Sequence, residues 1–420
     1  MYSMDIPGKL STRALALTTT TALAGTLLVS GCSGGGTTAG TAGGATGRCP
    51  AVAGVSPHQV TYGLLYTATG PTGQSLGAYR AGIDARLGVA NASGGVYGRT
   101  VSYTWADDGG QSRPNLAAAQ QLVSSDKVFG IQEFSTTPIG SAAWLNREGV
   151  PVVGTSNDLV WTKYSNMFSY SNLVTSNTDS ISTWGDYAKS QGARKAVVLV
   201  SNLSEGSRLI GAELATSLRA AGIEPVAIDA EPNTYDIQTV VRAIKNSGAD
   251  LITGVVDPAE FIQIAIATRS ALPTIKIESI VGYDRSLLAV GRQLAGMSVT
   301  SNYVPFELPI PAHQTFLNAM VQYSPQQQPA ANEISLIGWV DADLMLRGLQ
   351  AAGRCPTRQL FITNLRAVPN YNAGGLITPS VNLKATFGHL TACYAFIQVS
   401  SDGSRFVPVG DKPICGHRIS

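Results

Sequence analysis

The sequence predicts a doubly wound α/β fold with mostly parallel sheets, large enough for two lobes. From about Val60 onward, short apolar runs alternate with longer amphipathic runs, which is the pattern of β-α-β units. The chain has 420 residues, of which 44% are hydrophobic, so two domains of ordinary size can each fill a core. Loops rich in Ser, Thr and Asn follow several of the predicted strands.

The first doubly wound unit extends from Val60 to Val153. Short apolar runs predict its strands at residues 60–65, 101–105, 128–131 and 150–153. Longer amphipathic runs between these strands predict helices at residues 74–91, 115–124 and 139–148.

A second unit of the same kind follows an irregular stretch at residues 168–177. Its strands are predicted at residues 196–200, 224–228, 250–256 and 275–281, and its helices at residues 205–221, 236–247 and 258–270. A third region contains a strand at residues 297–303 and helices at residues 313–323 and 333–352. Residues 392–400 and 405–409 flank a Ser-Asp-Gly-Ser turn, which predicts a β-hairpin.

The N-terminus has the pattern of an export signal. Lys9 and Arg13 precede an apolar stretch, residues 14–29, that ends in Ser-Gly-Cys at Cys32. This pattern resembles a bacterial lipoprotein signal peptide, which implies a lipid on Cys32 after cleavage. The alternatives are an ordinary secretory signal and a short membrane anchor, although four threonines at 18–21 make a poor permanent span. Residues 33–48 are mostly Gly, Ser, Thr and Ala and predict a flexible tether.

The remaining cysteines predict disulfides rather than a metal site. Four are left beyond Cys32, and an exported chain favours two disulfides, with three possible pairings among Cys49, Cys355, Cys393 and Cys415. The four histidines lie far apart in the sequence, so no zinc site and no cofactor is expected. The net charge of +2 and the scattered basic residues argue against nucleic-acid binding.

Three segments carry a resemblance to a known family. They are Tyr-Thr-Ala-Thr-Gly-Pro at 66–71, Asn-Ala-Ser-Gly-Gly-Val-Tyr-Gly-Arg at 91–99, and the pair Asp107 and Asp108. In this order they resemble the branched-chain amino acid-binding (leucine/isoleucine/valine-binding-like) family of ABC-transporter substrate receptors, with a looser match over residues 60–295. The C-terminal part of the chain departs from the family.

The resemblance implies a type I periplasmic-binding fold, in which two lobes close on a ligand by hinge motion. The chain would cross between lobes three times, near Leu173, Tyr303 and Thr378. The N-terminal lobe would then comprise residues 49–172 and 303–375, and the C-terminal lobe residues 173–302 and 376–420.

The predicted ligand site begins with the loop that opens the helix at 139–148. Ligands of open α/β sheets lie at the carboxyl ends of strands, where helix N-termini favour anions. Ser135 and Thr136 are placed to hold a carboxylate there, and the resemblance implies that role for Ser135. The alternative is an N-cap worth about 1 kcal/mol. The resemblance further implies ligand contacts from the next loop, at Thr155, Ser156 and Asn157.

On the opposite lobe, two acidic segments follow predicted strands. The first contains Asn202 and Glu205. The second contains Asp257 and Glu260, either of which could pair with a ligand ammonium group or cap its own helix. Tyr66 and Tyr283 are candidate walls of the cleft. Glu133 is unexpected, because an acid beside Ser135 would repel an anion.

These observations support a binding protein over an enzyme. Residues 73–77 fit the Gly-x-Ser-x-Gly pattern of serine hydrolases, but Ser75 lies too far beyond the first predicted strand for a nucleophile elbow. The leading hypothesis is a lipid-anchored, monomeric receptor on the outer face of the cytoplasmic membrane. It would deliver a small amino acid, or a related carboxylate or amide, to an ABC permease. A ligand-binding sensor of the same fold is the alternative, and an exported serine hydrolase is the third hypothesis.

Overall fold

The computed structural model describes most of the chain from Cys49 onward. The described residues are 49–70, 73–175, 179–201, 205–230, 236–280 and 282–419. The predictions of a signal peptide, of a tether and of a lipid on Cys32 lie outside the described residues.

The first layer contains a parallel sheet whose strands are β1 (Gln59–Tyr66), β2 (Thr100–Asp107), β3 (Ile131–Phe134), β4 (Val152–Gly154) and β5 (Met167–Phe168). The strands lie in the order β2-β1-β3-β4-β5, and all pairs are parallel. The helices between them are α1 (Gly73–Leu76), α2 (Tyr79–Ala92), α3 (Ser112–Gln120), α4 (Ile139–Arg147) and α5 (Val160–Lys163). A π-helical turn at Gln121–Ser125 continues α3.

The second layer begins with β6 (Ser180–Ile181) and α6 (Ser182–Ser190). Strands and helices then alternate through β7 (Lys195–Val200), α7 (Glu205–Ala220), β8 (Glu224–Asp229), α8 (Ile237–Ser247), β9 (Leu251–Val255), α9 (Pro258–Ala271) and β10 (Lys276–Ser279). A 3₁₀ segment, Arg285–Leu294, leads to β11 (Ser298–Ser301). These strands pair in parallel in the order β11-β10-β9-β7-β8.

The chain then returns to the first layer and crosses back once more. The returning helices are α10 (Pro311–Tyr323), α11 (Glu333–Ala352) and α12 (Arg358–Arg366), and a 3₁₀ turn follows at Ala373–Gly375. The last strands are β12 (Cys393–Val399), β13 (Phe406–Pro408), β14 (Ile414–Cys415) and β15 (Arg418–Ile419). β12 is antiparallel to β11, β13 and β14 are antiparallel to β12, and β15 pairs with β6.

Helix α8 shows how the local sequence defines an element. Its apolar residues Val240, Val241 and Ile244 recur at helical spacing and are all buried. Asp236 caps the first turn by accepting a hydrogen bond from the backbone N–H of Gln238 at 3.1 Å. Gly248 ends the helix in the left-handed conformation, with φ of 70°.

The structure differs from the sequence predictions mainly at element boundaries. β3 runs over Ile131–Phe134 instead of 128–131, because its two polar residues, Gln132 and Glu133, are buried within the strand. The helix predicted at 74–91 is divided into α1 and α2. Helices α5, α6 and α12 and the short strands β5, β6, β14 and β15 were not predicted.

Two disulfides link the four cysteines of the described chain. Cys49 is bonded to Cys355, 306 residues away, and Cys393 is bonded to Cys415, 22 residues away. The second bond joins directly paired residues of β12 and β14. Among the described residues, no helix is both long enough and apolar enough to cross a membrane.

Candidate functional site

Asp108 joins three loops at the carboxyl ends of the first sheet. It follows β2, is fully buried, and accepts a hydrogen bond from the Thr67 hydroxyl on Oδ1 at 2.8 Å. Its Oδ2 accepts hydrogen bonds from Asn115 Nδ2 at 3.0 Å and from the Ser135 hydroxyl. Because Thr67 follows β1 and Ser135 follows β3, one carboxylate holds these loops together. Buried hydrogen-bond networks of this kind rigidify a structure.

Glu133 lies beside this carboxylate. Asn115 Nδ2 donates to its Oε1 at 3.0 Å, while its Oε2 is buried without a hydrogen-bond partner among the described residues. Burial, with a smaller contribution from the negative charges of Asp108 and Asp158, raises the pKa of Glu133 to about 8. The side chain is therefore mostly protonated at neutral pH, so it does not oppose an anion as strongly as its sequence position suggests.

The loop after β4 contains three of the predicted contact residues. Asn157 Nδ2 donates to the carbonyl oxygen of Ser135 at 2.7 Å, which fixes this loop to the loop after β3. Asn157 Oδ1 and the Ser156 hydroxyl are buried without hydrogen-bond partners in the part of the chain that the structure describes. Thr155 donates from its hydroxyl to Asp341 on α11 at 3.1 Å. Two of the three side chains thus keep unused hydrogen-bonding capacity.

The second layer brings an acid close to this loop. Glu205 is the first residue of α7 and is exposed. Burial, followed by the negative charge of Glu205, raises the pKa of Asp158. The loop after β4 and the start of α7 therefore face each other at the carboxyl ends of the two sheets. Asn202, three residues before the start of this helix in the sequence, lies outside the described residues.

Just before α4, where an anion site was predicted, backbone N–H groups donate to side-chain hydroxyls of the protein itself. The backbone N–H of Thr136 donates to the Thr67 hydroxyl at 3.2 Å, and that of Thr137 donates to the Ser135 hydroxyl at 2.9 Å. Ser135 is buried, whereas Thr136 is exposed. The role of Ser135 as a carboxylate ligand remains a prediction, and its hydroxyl would have to leave Asp108 to play it.

The other predicted site residues lie in separate surroundings. Asp257 is exposed and caps α9, since its Oδ1 accepts from the backbone N–H groups of Ala259 at 3.0 Å and Glu260 at 3.2 Å. Tyr66 is the buried last residue of β1, and its ring centroid lies 5.7 Å from that of Trp105. Tyr283 is also buried and donates its hydroxyl proton to Glu307, and its ring packs near those of Tyr303, Phe306 and Phe406.

The structure adds site residues that the sequence did not single out. Asn115 on α3 bridges Asp108 and Glu133, and Asp341 on α11 holds Thr155. Burial raises the pKa of Asp341 to about 7. Asp341 lies 186 residues along the chain from Thr155, whereas Asn115 lies only 7 residues after Asp108, on the next helix. The only signal in the sequence was that each is a polar residue on a predicted helix.

The described residues contain no group of three or more His, Cys, Asp or Glu side chains arranged to hold a metal ion. The candidate site presents carboxyl groups together with Asn157 Oδ1 and the Ser156 hydroxyl, which lack hydrogen-bond partners within the described part of the chain. Such groups suit a polar ligand, and above all one that carries N–H donors.

Two doubly wound layers joined by three crossings, with polar loops meeting at the strand ends, define a type I periplasmic-binding fold. The periplasmic binding protein family pattern matches residues 59–404, and the chain belongs to that family. The predicted α/β fold class and the predicted family resemblance are both confirmed.

Individual relatives are distant. The Leu/Ile/Val-binding protein homolog 3 of Brucella melitensis is 23% identical over 200 residues, which are 46% of this chain and 53% of that protein. The match thus spans about half the length of the relative.

Solved structures resemble the whole fold. An ABC-transporter solute-binding protein of R. palustris in complex with 4-hydroxybenzoate has a TM-score of 0.70 and 22% identity, covering 85% of this chain and 97% of its own. A branched-chain amino acid ABC transporter structure from Thermus thermophilus with bound valine has a TM-score of 0.71 and 15% identity, covering 86% and 97%.

Family membership implies a location outside the cytoplasm and a role in solute binding. The hydrolase hypothesis loses its geometric basis. β1 ends at Tyr66 and α1 begins only at Gly73, so residue 75 lies within a short helix and not on the turn that directly follows a strand.

Proposed function

We propose that this protein is the extracytoplasmic receptor of an ABC transporter and that it binds a small amino acid or a related amine-bearing solute. The supporting observation is the set of carboxyl groups where the two layers meet. Asp158 and Glu133 belong to the first layer, and Glu205 faces Asp158 from the second. An ammonium group between them would favour the ionised form of these carboxyl groups and pair with it.

The unused acceptors of the first layer support the same ligand class. Asn157 Oδ1, the Ser156 hydroxyl and Glu133 Oε2 are buried without partners among the described residues. Leaving such groups unpaired costs about 1–3 kcal/mol each, which a ligand with N–H donors would recover. Relatives of the fold bind solutes of this size, with valine in the Thermus thermophilus structure and 4-hydroxybenzoate in the R. palustris structure.

A thermal-shift screen of the unit from Cys49 onward tests the proposal. Amino acids, amides, simple amines and aromatic acids are compared, and a ligand at a hundred times its Kd stabilises the folded state by about 2.7 kcal/mol. We expect amine-bearing solutes to raise Tm, and Asp158→Asn and Glu205→Gln to reduce the shift. Asp411→Asn is the control, because Asp411 is exposed in the C-terminal segment.

Two results would contradict the proposal in different ways. Stabilisation by 4-hydroxybenzoate that the Asp158→Asn variant retains would replace the amine-bearing ligand with an aromatic acid. If no small molecule shifts Tm, the transport role fails, and a sensor that recognises a protein partner becomes the better explanation.

The anchored, monomeric arrangement is part of the same proposal. The lipoprotein pattern that ends at Cys32 supports attachment to the outer face of the cytoplasmic membrane, where the permease would be within reach. A Cys32→Ser variant of the full chain should leave the membrane fraction. Wild-type chain recovered without lipid in the soluble fraction would contradict the anchor.

A further inference from the structure

The second sheet has a polar cavity at the N-terminal ends of its strands, whereas the candidate ligand site lies at the carboxyl ends. The cavity has a volume of about 210 Å³ and is lined by the first residues of β9, β10 and β11, including Leu251, Lys276 and Ser298. Because these strands are parallel, all their first residues lie on one side of the sheet and all their carboxyl ends lie on the other. The cavity is therefore separate from the loops that meet at Asp158.

Glu278 is the buried acid of this cavity. It is 4% exposed, lines the cavity, and forms no hydrogen bond or ion pair with any residue that the structure describes. Burial raises the pKa of Glu278 to about 8. A buried carboxyl group without a partner is costly, and natural proteins rarely keep one without a use for it.

Hydroxyl and amide groups lie next to this acid. The strand register pairs Glu278 with Ser298 and Ser298 with Gln398, so the three side chains form a row across the sheet. The Ser298 hydroxyl is hydrogen-bonded to the Tyr187 hydroxyl at 2.7 Å, and Gln398 donates to Gln191 at 3.0 Å. These groups already satisfy one another, so Glu278 alone is left to receive a charged donor from outside.

Two cations lie nearer to the solvent. Lys276 is on the same strand as Glu278, two residues earlier and hence on the same face, and its side chain is 32% exposed. It is 3.7 Å from Asp250. Arg269 donates to the carbonyl oxygens of Ala295 at 2.5 Å and Ile275 at 3.3 Å, while its Nε is buried without a partner among the described residues.

We propose that this cavity binds a small zwitterion, with its ammonium group on Glu278 and its carboxylate toward Arg269 and Lys276. The acid inside and the cations nearer the mouth give the cavity a polarity that matches a molecule with separated charges. A cavity of this volume is roughly the size for a solute of a few heavy atoms and has room for several waters. The site is distinct from the cleft proposed to serve transport.

Isothermal titration with 4-aminobutyrate tests the site, using wild-type protein from Cys49 onward. At pH 7 Glu278 holds a proton, so binding an ammonium group should release close to one proton, measured by repeating the titration in buffers of different ionisation enthalpy. Ethylammonium and butyrate, the two half-molecules, should bind at least tenfold more weakly. Glu278→Gln should weaken binding of 4-aminobutyrate at least tenfold.

Two control variants separate this site from the cleft. Glu213→Gln removes another buried acid of the same layer and should retain binding of 4-aminobutyrate and release of the proton. Asp158→Asn alters the cleft, which is proposed to take amine-bearing solutes as well, and it should leave unchanged the part of 4-aminobutyrate binding that Glu278→Gln removes. Loss of binding in Asp158→Asn but not in Glu278→Gln would overturn the cavity site and leave the cleft proposal intact. Absence of binding and proton release in wild-type protein would mean that the cavity holds water only.

Discussion

Asn157 donates from Nδ2 to the carbonyl oxygen of Ser135 at 2.7 Å, and this hydrogen bond joins the loop after β4 to the loop after β3. Ser135 is itself fixed to Asp108, which also holds the loop after β1 through Thr67. The candidate site is thus a single preorganised surface built from the ends of four neighbouring strands. Preorganised sites bind more tightly because less conformational entropy is lost on binding.

The first prediction concerns this link between loops. Asn157→Ala removes the hydrogen bond and should lower the free energy of unfolding by about 1 kcal/mol. Ligand affinity should fall roughly tenfold, because the loop must then be ordered on binding and a polar contact is lost. Urea denaturation and isothermal titration measure the two effects. Asn318→Ala, at an exposed position of α10, is the control, and equal effects in both variants would contradict a special role for Asn157.

The second prediction compares the two disulfides. Cys49–Cys355 closes a loop of 306 residues and Cys393–Cys415 a loop of 22, so the first restricts the unfolded chain more. On the chain-entropy model, losing the longer cross-link costs about 2 kcal/mol more than losing the shorter one. Urea denaturation of the two double Cys→Ala variants measures this difference. A larger loss in the Cys393→Ala, Cys415→Ala variant would contradict the prediction.

Much of the fold follows from periodicity, and the exceptions have local physical causes. The strand predicted at 196–200 and the observed β7 nearly coincide, because that run is apolar and buried on both faces. The predicted position of β3 was wrong because Gln132 and Glu133 are polar and resemble surface residues in the sequence. In the structure both are buried and form hydrogen bonds, Gln132 with Tyr79 and Glu133 with Asn115. Tertiary partners of this kind have no signature in the local sequence.

The site was predictable to the level of loops but not of side chains. The rule that ligands lie at the carboxyl ends of strands led to the segments that contain Ser135, Thr155 and Asn157. It could not show that Thr155 turns to Asp341, 186 residues away in the sequence. Nor could it decide the role of Asp257, because helix capping and the binding of a ligand ammonium group both need an acidic residue at this position.

The third prediction is a pH dependence of stability. Burial raises the pKa of Glu213 on α7 from 4.5 to about 8. Below pH 4.5 the folded and unfolded states both keep the proton, whereas between about pH 4.5 and 8 only the folded state keeps it. Stability therefore falls as the pH rises through this range, by at most about 1.4 kcal/mol per unit from this group.

Glu213→Gln isolates this contribution. Glutamine keeps an acceptor for the backbone N–H of Thr175, which donates to Glu213 Oε1 at 3.0 Å in the wild type. The variant should lose less stability than wild type between pH 5 and pH 8 in urea denaturation. Glu224→Gln is the control, because that side chain is 66% exposed and pairs with Lys195 at the surface. Parallel pH profiles for wild type and Glu213→Gln would refute the prediction.

The fourth prediction concerns the close approach of α2 and α11. A Cβ atom added at Gly82 would lie 1.7 Å from the carbonyl oxygen of Ser335, and one at Gly338 would lie 2.1 Å from that of Tyr79. In an unconstrained helix, Gly→Ala stabilises by about 1 kcal/mol. Here Gly82→Ala must push the helices apart, and such overpacking costs about 1–3 kcal/mol. Because α11 carries Asp341, which Thr155 contacts at 3.1 Å, ligand affinity should fall together with Tm. A Gly82→Ala protein with a higher Tm and unchanged affinity would show that the two helices are not packed this closely.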